Sequence, residues 1–381
     1  MPSCDRPGIA HLIESDGPGG AERIVAVLAQ ALQEAGARNV VFLPEQGEGW
    51  LARELADSDV VVESYRLDTP LSPACARSIA ASFKRHRIDL AHSHEFTMAV
   101  YGRWASWYAG VPSVITMHGS RYYAGRLQRR LALRAAMSGR TRVVAVSHQL
   151  AGHISRDLGV RRSRITMVPN GVRFGAPAAP DPVRRELALG PEHCLLVAVG
   201  SLYPVKGHRI AVDALACLAA RHSKLHLAIA GRGELAGALA AQARALGIED
   251  RLHLLGLRSD VSAVLAAADL FVLPSLSEGL PLALLEAMFA RRPIVATDVG
   301  EVRSALDGGR AGVLVPPGDT AALATAIDAI LADPGRARTL AGRARERATA
   351  EYDLAGMVRR YGSIYDELLP VDRFRFTTHS A

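Results

Sequence analysis

Lysine is nearly absent. The 381 residues carry 45 basic side chains, and only Lys84, Lys206 and Lys224 among them are lysines rather than arginines. A lysine anywhere in this chain is a departure from its habit. Cysteine is scarce too: Cys4, Cys75, Cys194 and Cys217 are scattered, with no Cys-x-x-Cys spacing. That excludes a disulfide scaffold and a cysteine zinc site, and it fits a reducing compartment. No run reaches the roughly 18 consecutive apolar residues of a membrane-spanning helix. The opening MPSCDRPGIAHLIESDG lacks a basic region followed by an apolar core, so a cytoplasmic location is expected.

With 49% hydrophobic and 22% charged residues, the composition is that of a globular protein rather than a disordered or collagenous one. The length is a prior for two or three domains of about 100 to 200 residues each. The net charge of +7 is unevenly spread. Residues 1–175 hold 22 Arg and Lys against 15 Asp and Glu, whereas residues 176–381 hold 23 of each, so the whole excess lies in the first half. Such asymmetry points to an anionic partner, whether nucleic acid, a membrane surface or a phosphorylated ligand.

Short β-branched runs alternate with helix-period segments. GIAHLI (8–13), NVVFL, VVVES, DLAHSH, SVITMH, VVAVS and RITMVP form one series; CLLVAVG (194–200), LHLAIAG, RLHLLG, DLFVLP, PIVATD and GVLVP form a second. Repeated strand–helix–strand alternation implies parallel sheets with helices on both faces. Between the series, GAPAAPDPV (175–183) reads as a linker. The expected class is therefore α/β, with two facing Rossmann-like doubly wound domains and a cleft between them. The expected boundaries are 1–175 and 176–350. A helical segment over 351–381 is expected to pack back on the first domain and to end in a disordered tail. Ligands of such sheets bind at the carboxyl ends of the strands.

Three stretches carry chemistry at such ends. GPGGAER (17–23) follows the first strand and opens a helix, where glycine amides can approach an anion; the plain alternative is a tight turn. GSLYPVKGH places Lys206 just before a helix, as a flexible ammonium suited to phosphate; the alternative is a solvated surface lysine. In FVLPSLSEGLPLALLEAM, Glu278 lies in a loop and Glu286 eight residues on, within an otherwise apolar helix. Carboxylates pair with vicinal hydroxyls, so ribose and hexose are natural partners. The amides of Gly279 and Leu280 at the helix start suit an anion.

GPGGAER, TMHG with His118, VPNGV, VGSLYPVKG, SEGLPLALLEAM and GVLVPPGD occur in the order found in the family 4 glycosyltransferases. The chain resembles that family, retaining enzymes of the GT-B fold, over nearly its whole length. The resemblance implies that Glu286 holds the nucleotide ribose and that Glu278 lies near the donor sugar hydroxyls. It implies that Lys206 neutralises the departing diphosphate, with Gly279, Leu280, Gly19 and Gly20 beside it, and that His118 adjoins the reacting sugar. His118, Lys206 and Glu278 are thus the expected catalytic residues. No protein nucleophile is needed, because the departing phosphate takes the acceptor proton. Two positions depart from the family pattern: Ser201, where an arginine is common in the donor-binding turn, and Arg173, where an aspartate often follows NGV.

The implied activity is transfer of a sugar from a nucleotide-diphosphate donor to a sugar or lipid-linked hydroxyl, with no cofactor and no metal requirement. Asp57 and Asp59 form an Asp-x-Asp that reads as a surface turn, and His92 and His94 share a strand face without a matching acidic or cysteine ligand. A phosphorylase, a sugar-nucleotide epimerase and a non-catalytic anionic-surface binder are the alternatives. Nucleic acid is disfavoured, for want of aromatic platforms or a known motif. Residues Arg121 to Arg142 hold seven arginines and no acid. Read as a helix, Tyr123, Leu127, Leu131 and Ala135 form a stripe flanked by arginines, which either lies on anionic lipid or packs into the core.

Overall fold

The computed structural model describes residues 6–67, 72–119, 126–173 and 179–370. Two compact units emerge: residues up to Arg173 together with those from Leu354 onward, and the intervening residues to Asp353. In the first unit the chain runs β1 (Gly8–Leu12), α1 (Gly20–Glu34), β2 (Arg38–Pro44), α2 (Trp50–Leu55), β3 (Val61–Tyr65), α3 (Pro73–Arg85) and β4 (Leu90–His94). It continues through α4 (Glu95–Ala109), β5 (Ser113–Met117), α5 (Leu127–Ala136), β6 (Arg142–Ala145), α6 (His148–Leu158) and β7 (Ile165–Met167). The second unit holds α7 (Asp181–Glu186), β8 (Cys194–Val199), α8 (His208–Leu218), β9 (Leu225–Ala230), α9 (Ala236–Ala245), β10 (Leu252–Gly256) and α10 (Val261–Ala267). Then come β11 (Leu270–Leu273), α11 (Leu282–Phe289), β12 (Ile294–Thr297), α12 (Val302–Ala305), β13 (Val313–Val315), α13 (Thr320–Ala332) and α14 (Pro334–Glu351), before α15 (Leu354–Asp366) returns to the first unit.

Both sheets are parallel and doubly wound. The first has the order β3-β2-β1-β4-β5-β6-β7 and the second β10-β9-β8-β11-β12-β13. Winding reverses between β1 and β4 in one and between β8 and β11 in the other, so the ligand crevice of each sheet is expected at those strand ends. Helices cover both faces, which is why β1, β4 and β5 are buried at every residue, their polar side chains included. Helix starts are fixed locally. The Ser147 hydroxyl accepts the Leu150 N–H at 3.1 Å, and Asp319 accepts the Ala322 N–H at 2.8 Å.

One expectation needs correction and one open choice is resolved. The linker read over 175–183 is shorter, because α7 already begins at Asp181 with a proline in its first turn, the one helical site where a missing N–H costs nothing. The stripe on α5 faces outward: Leu127 and Leu131 are 68% and 57% exposed, while Leu133 and Ala136, off the stripe, are buried. Tyr123, Arg121 and the TTHSA tail lie outside the described residues, as do 175–178 of the linker.

Helix α15 is anchored deep in the first unit. The Leu354 N–H donates to the Val172 carbonyl at 3.2 Å. Tyr361 and Tyr365, both fully buried, reach the central strands: the Tyr365 hydroxyl meets His92 Nδ1 at 2.7 Å and the Tyr361 hydroxyl meets Thr116 Oγ1 at 3.1 Å.

Candidate active site

In the second unit, the turn after β8 and the loop after β11 flank the switch point. They are zipped together by the Leu276 N–H, which donates to the Val205 carbonyl at 2.8 Å. Gly207 makes this approach feasible. Its φ is +64°, and a Cβ there would stand 2.0 Å from the Pro274 carbonyl oxygen. With the loops so close, Lys206 at the end of one turn reaches Glu278 in the other: Nζ lies 2.7 and 2.9 Å from the two carboxyl oxygens. The Glu278 side chain is only 7% exposed and that of Lys206 26%. The Ser275 hydroxyl donates to Glu278 Oε1 at 2.7 Å, a contact the sequence reading missed.

Gly279 and Leu280 follow directly, with Leu280 buried, and Pro281 is the N-cap of α11. The first amides of that helix are not needed for intrahelical bonds, so the loop ends in an anion-compatible corner. Glu286 is the fifth residue of α11 and half-buried. Ser201 is half-buried in the β8 turn. On the adjoining strand end, the Arg232 carbonyl accepts the Leu202 N–H at 2.9 Å, which places a second cationic residue beside the Ser201 turn.

In the first unit, His118 follows β5 at the carboxyl edge. Its Nε2 lies 3.2 Å from His94 Nδ1, and its backbone N–H donates to Glu95 Oε1 at 3.2 Å. Burial drops the His118 pKa to about 4, so the imidazole is neutral at neutral pH. His92, His94 and His11 stack behind it, and burial lowers the pKa of all three. Strand register makes the cluster: His11 pairs opposite His92, and His94 stands two residues on, on the same face.

These three histidines bring ligand-capable atoms within 4.8 Å of one another. His11 Nε2 faces the Asn39 amide oxygen, so it carries the hydrogen and Nδ1 is left with a free lone pair. His94 Nε2 is also unpartnered. His92, however, is held at both nitrogens, by Tyr365 and by Thr116 at 2.7 Å each, and has no lone pair to spare. As arranged, the cluster offers a metal ion two nitrogens rather than three.

The Gly-rich loop differs from its expected character. Gly19 is the N-cap of α1, with an ordinary φ of −87°, and Gly20 begins the helix. Glu22 in the first turn folds back over Gly19, where a Cβ would stand 2.2 Å from its Oε2, and the Ser15 hydroxyl donates to its Oε1. Burial raises the Glu22 pKa. An acid therefore sits against the loop read as an anion cradle. Arg173 pairs with Glu34 of α1 at 3.3 Å, which accounts for it structurally. Asp57 and Asp59 are exposed on a turn between α2 and β3.

Comparison with known proteins bears on this geometry. The Glycosyltransferase Family 4 profile matches residues 18–174, and that of Glycosyl transferases group 1 matches residues 193–333. The glycogen synthase of Mycobacterium tuberculosis is 31% identical over 291 residues, which cover 73% of this chain and 69% of that protein. The chain belongs to glycosyltransferase family 4. This family 4 glycosyltransferase is a hexosyltransferase with two Rossmann-like units in the GT-B class. The D-inositol 3-phosphate glycosyltransferase of Pseudarthrobacter chlorophenolicus is 28% identical over 347 residues, 83% of each chain. Among solved structures, Anabaena Alr3699/HepE in complex with UDP and glucose superposes with a TM-score of 0.85. It is 23% identical and covers 95% of this chain and 100% of its own.

Proposed function

We propose that this glycosyltransferase is retaining and metal-independent, and that it moves a hexose from a nucleotide-diphosphate donor to a hydroxyl of a sugar or lipid-linked acceptor in polysaccharide or glycolipid assembly. The observation that carries the reading is the Lys206–Glu278 pair, held in place at the switch point of the six-stranded sheet beside the start of α11. Negative charge grows on the diphosphate as the glycosidic bond breaks. A fixed ammonium and helix-start amides are worth most against charge that appears in the transition state. Glu278 orients Lys206 and keeps an acceptor for donor hydroxyls, and Glu286 takes the ribose hydroxyls. Ser201 supplies no charge, so Lys206 carries more of the diphosphate, with Arg232 as the neighbouring cation. Neutral His118 can accept or donate a hydrogen bond to the sugar without adding charge.

The solved neighbour from Anabaena holds UDP and glucose, and a relative from Escherichia coli, 30% identical over 236 residues, is named for transfer of galactose from UDP to a diphosphoundecaprenol-linked sugar. These support a nucleotide-sugar donor and a lipid-linked acceptor. Among the described residues no helix is long and apolar enough to cross a membrane. In this reading, contact with such an acceptor runs through the arginine-rich segment that includes α5.

Release of nucleoside diphosphate across a panel of sugar nucleotides tests the activity, and the anomeric configuration of the product, read by NMR, tests retention. Turnover is expected with at least one donor and unchanged by a chelator. An inverted product or abolition by chelator overturns those parts of the proposal. Lys206→Ala and Glu286→Ala should each weaken binding of the nucleoside diphosphate by about ten-fold or more, the scale of one charge-assisted hydrogen bond. Unchanged affinity in both would remove the site assignment.

A further inference from the structure

Glu95 is the first residue of α4, immediately after the carboxyl end of β4, and it adopts φ of +63°. That conformation is uncommon for a residue with a side chain and costs of order 1 kcal/mol or more. Here it brings the carboxyl group back toward the strand ends, where Oε1 accepts the His118 N–H. The residue is only 8% exposed, and its second oxygen, Oε2, is buried with no hydrogen-bond partner. A buried carboxyl oxygen left bare costs about 1–3 kcal/mol, so the position is paid for twice. His94 Nε2, on the preceding residue, is bare as well and fully buried.

The surroundings define what could partner that oxygen. Glu14 follows β1 on the other side of the switch point, and its Oε2 accepts the Thr97 N–H at 2.8 Å. Glu14 and Glu22 both act electrostatically on Glu95. Burial pushes the Glu95 pKa up to about 8, the two neighbouring carboxyls add to the shift, and the His118 N–H opposes it. Around it lie the neutral imidazoles of His94 and His118. The neighbouring Glu14 and Glu22 carboxyls disfavour an anion and the neutral imidazoles do not attract one, whereas a neutral carboxyl and an imidazole both exchange hydrogen bonds with hydroxyls.

We propose that Glu95 Oε2, beside His118, is a hydroxyl-binding subsite for the acceptor, and that the part of the acceptor entering it is a neutral polyol, a sugar or cyclitol ring without phosphate or carboxylate. The inference rests on the transferase reading above for the identity of the ligand, not for the existence of the subsite. It also separates two features of the first unit: the arginine excess lies elsewhere, and the strand ends that meet the acceptor are acidic.

The test is a titration that needs no turnover. Protein saturated with the nucleoside diphosphate that the donor panel selects is titrated with methyl β-D-glucopyranoside, methyl α-D-mannopyranoside and myo-inositol, and in parallel with glucose 6-phosphate and myo-inositol 1-phosphate. Wild type should bind at least one neutral probe and bind its phosphate counterpart at least ten-fold more weakly. Glu95→Ala should weaken the neutral probe by about ten-fold or more, the scale of a lost buried hydrogen bond. Glu95→Gln, which mimics the neutral acid and preserves the fold, should stay within about three-fold at pH 7. Nucleotide affinity should be the same in all three proteins. Equal sugar binding by wild type and Glu95→Ala, a preference for the phosphates, or no binding of any neutral probe by wild type overturns the proposal. So does a Glu95→Ala enzyme with lower kcat and an unchanged acceptor KM, since Glu95 would then merely hold the His118 backbone. Failure of the donor panel would instead strike the transferase reading, and the titration, run then without nucleotide, would still report on Glu95.

Discussion

Lys206 and Glu278 hold each other although 72 residues separate them, and this changes how either can be replaced. Lys206→Met leaves a carboxylate that is 7% exposed with one hydroxyl donor, from Ser275. Breaking a buried pair on one side is costlier than removing both partners. The single substitution should therefore cost about 2 kcal/mol, and the double variant Lys206→Met with Glu278→Leu should cost less than the sum of the singles. Hydrogen exchange of the β11 and α11 amides reads this, with additive effects as the outcome that denies the coupling. Both residues were legible as candidates. Lys206 stood out against an arginine background and Glu278 sat in an ordered motif. Their contact was not legible, because it depends on β8 and β11 being neighbours, and strand order has no local signature. Ser275 and Glu95 were missed for a related reason. A serine in a loop and a glutamate at a helix start are ordinary in sequence, and only burial and a positive φ mark them out.

At the level of elements, strand positions were legible because strands covered on both faces write continuous apolar runs. What those runs concealed was polar: β1, β4 and β5 carry His11, His92, His94 and Thr116 into a fully buried layer that α15 closes with two tyrosine hydroxyls. Periodicity located the strands but could not say that the last helix satisfies their hydrogen bonds. Two pH effects of opposite sign follow. The four histidines of the layer, His118 included, have folded pKa values below the ordinary 6.5, so the unfolded chain binds more protons and stability is lost as pH falls from about 6.5 towards 4. Glu95 has a folded pKa of about 8, above its ordinary 4.5; the folded state holds the extra proton, and that stability is lost as pH rises through 8. Unit stability should therefore peak at about pH 7, where the four histidines and the one carboxyl balance. The three tryptophans, Trp50, Trp104 and Trp107, all lie in the first unit and report it alone. Their emission in urea should show a midpoint that climbs from about pH 5 to about 7 and declines gently above it. In Glu95→Gln the decline should shrink, leaving the smaller part that Glu22, whose pKa burial also raises, contributes. A decline of the same size in that variant would mean that Glu95 is not its source.

Over the whole molecule, the net charge of +7 equals the charge of the arginine-rich segment 121–142, while the residues from 176 onward balance. Charge position therefore carries more than its sum. Within α5 the arginines do not all face water alike: Arg130 donates to the Asp157 carbonyl at 3.0 Å, and the Arg129 guanidinium lies 5.4 Å from the centre of the Phe96 ring. Leu127 and Leu131 stand out among them, exposed at 68% and 57%, and Trp107 near the end of α4, a helix packed against α5, is 69% exposed. Apolar side chains within a basic field match a surface that is anionic outside and apolar beneath, and each arginine near such a surface is worth about 1 kcal/mol. The protein should co-sediment with vesicles of phosphatidylcholine and about 30% phosphatidylglycerol at low salt and be released at about 0.5 M salt, where the Debye length falls to a few ångströms. It should ignore vesicles of phosphatidylcholine alone. Leu127→Ser with Leu131→Ser removes the apolar anchor without touching charge, so it should leave some low-salt binding and lower the salt needed for release. Absence of binding to the anionic vesicles at low salt would reject the membrane contact and leave the arginines of this segment to structural roles, such as those Arg129 and Arg130 already fill.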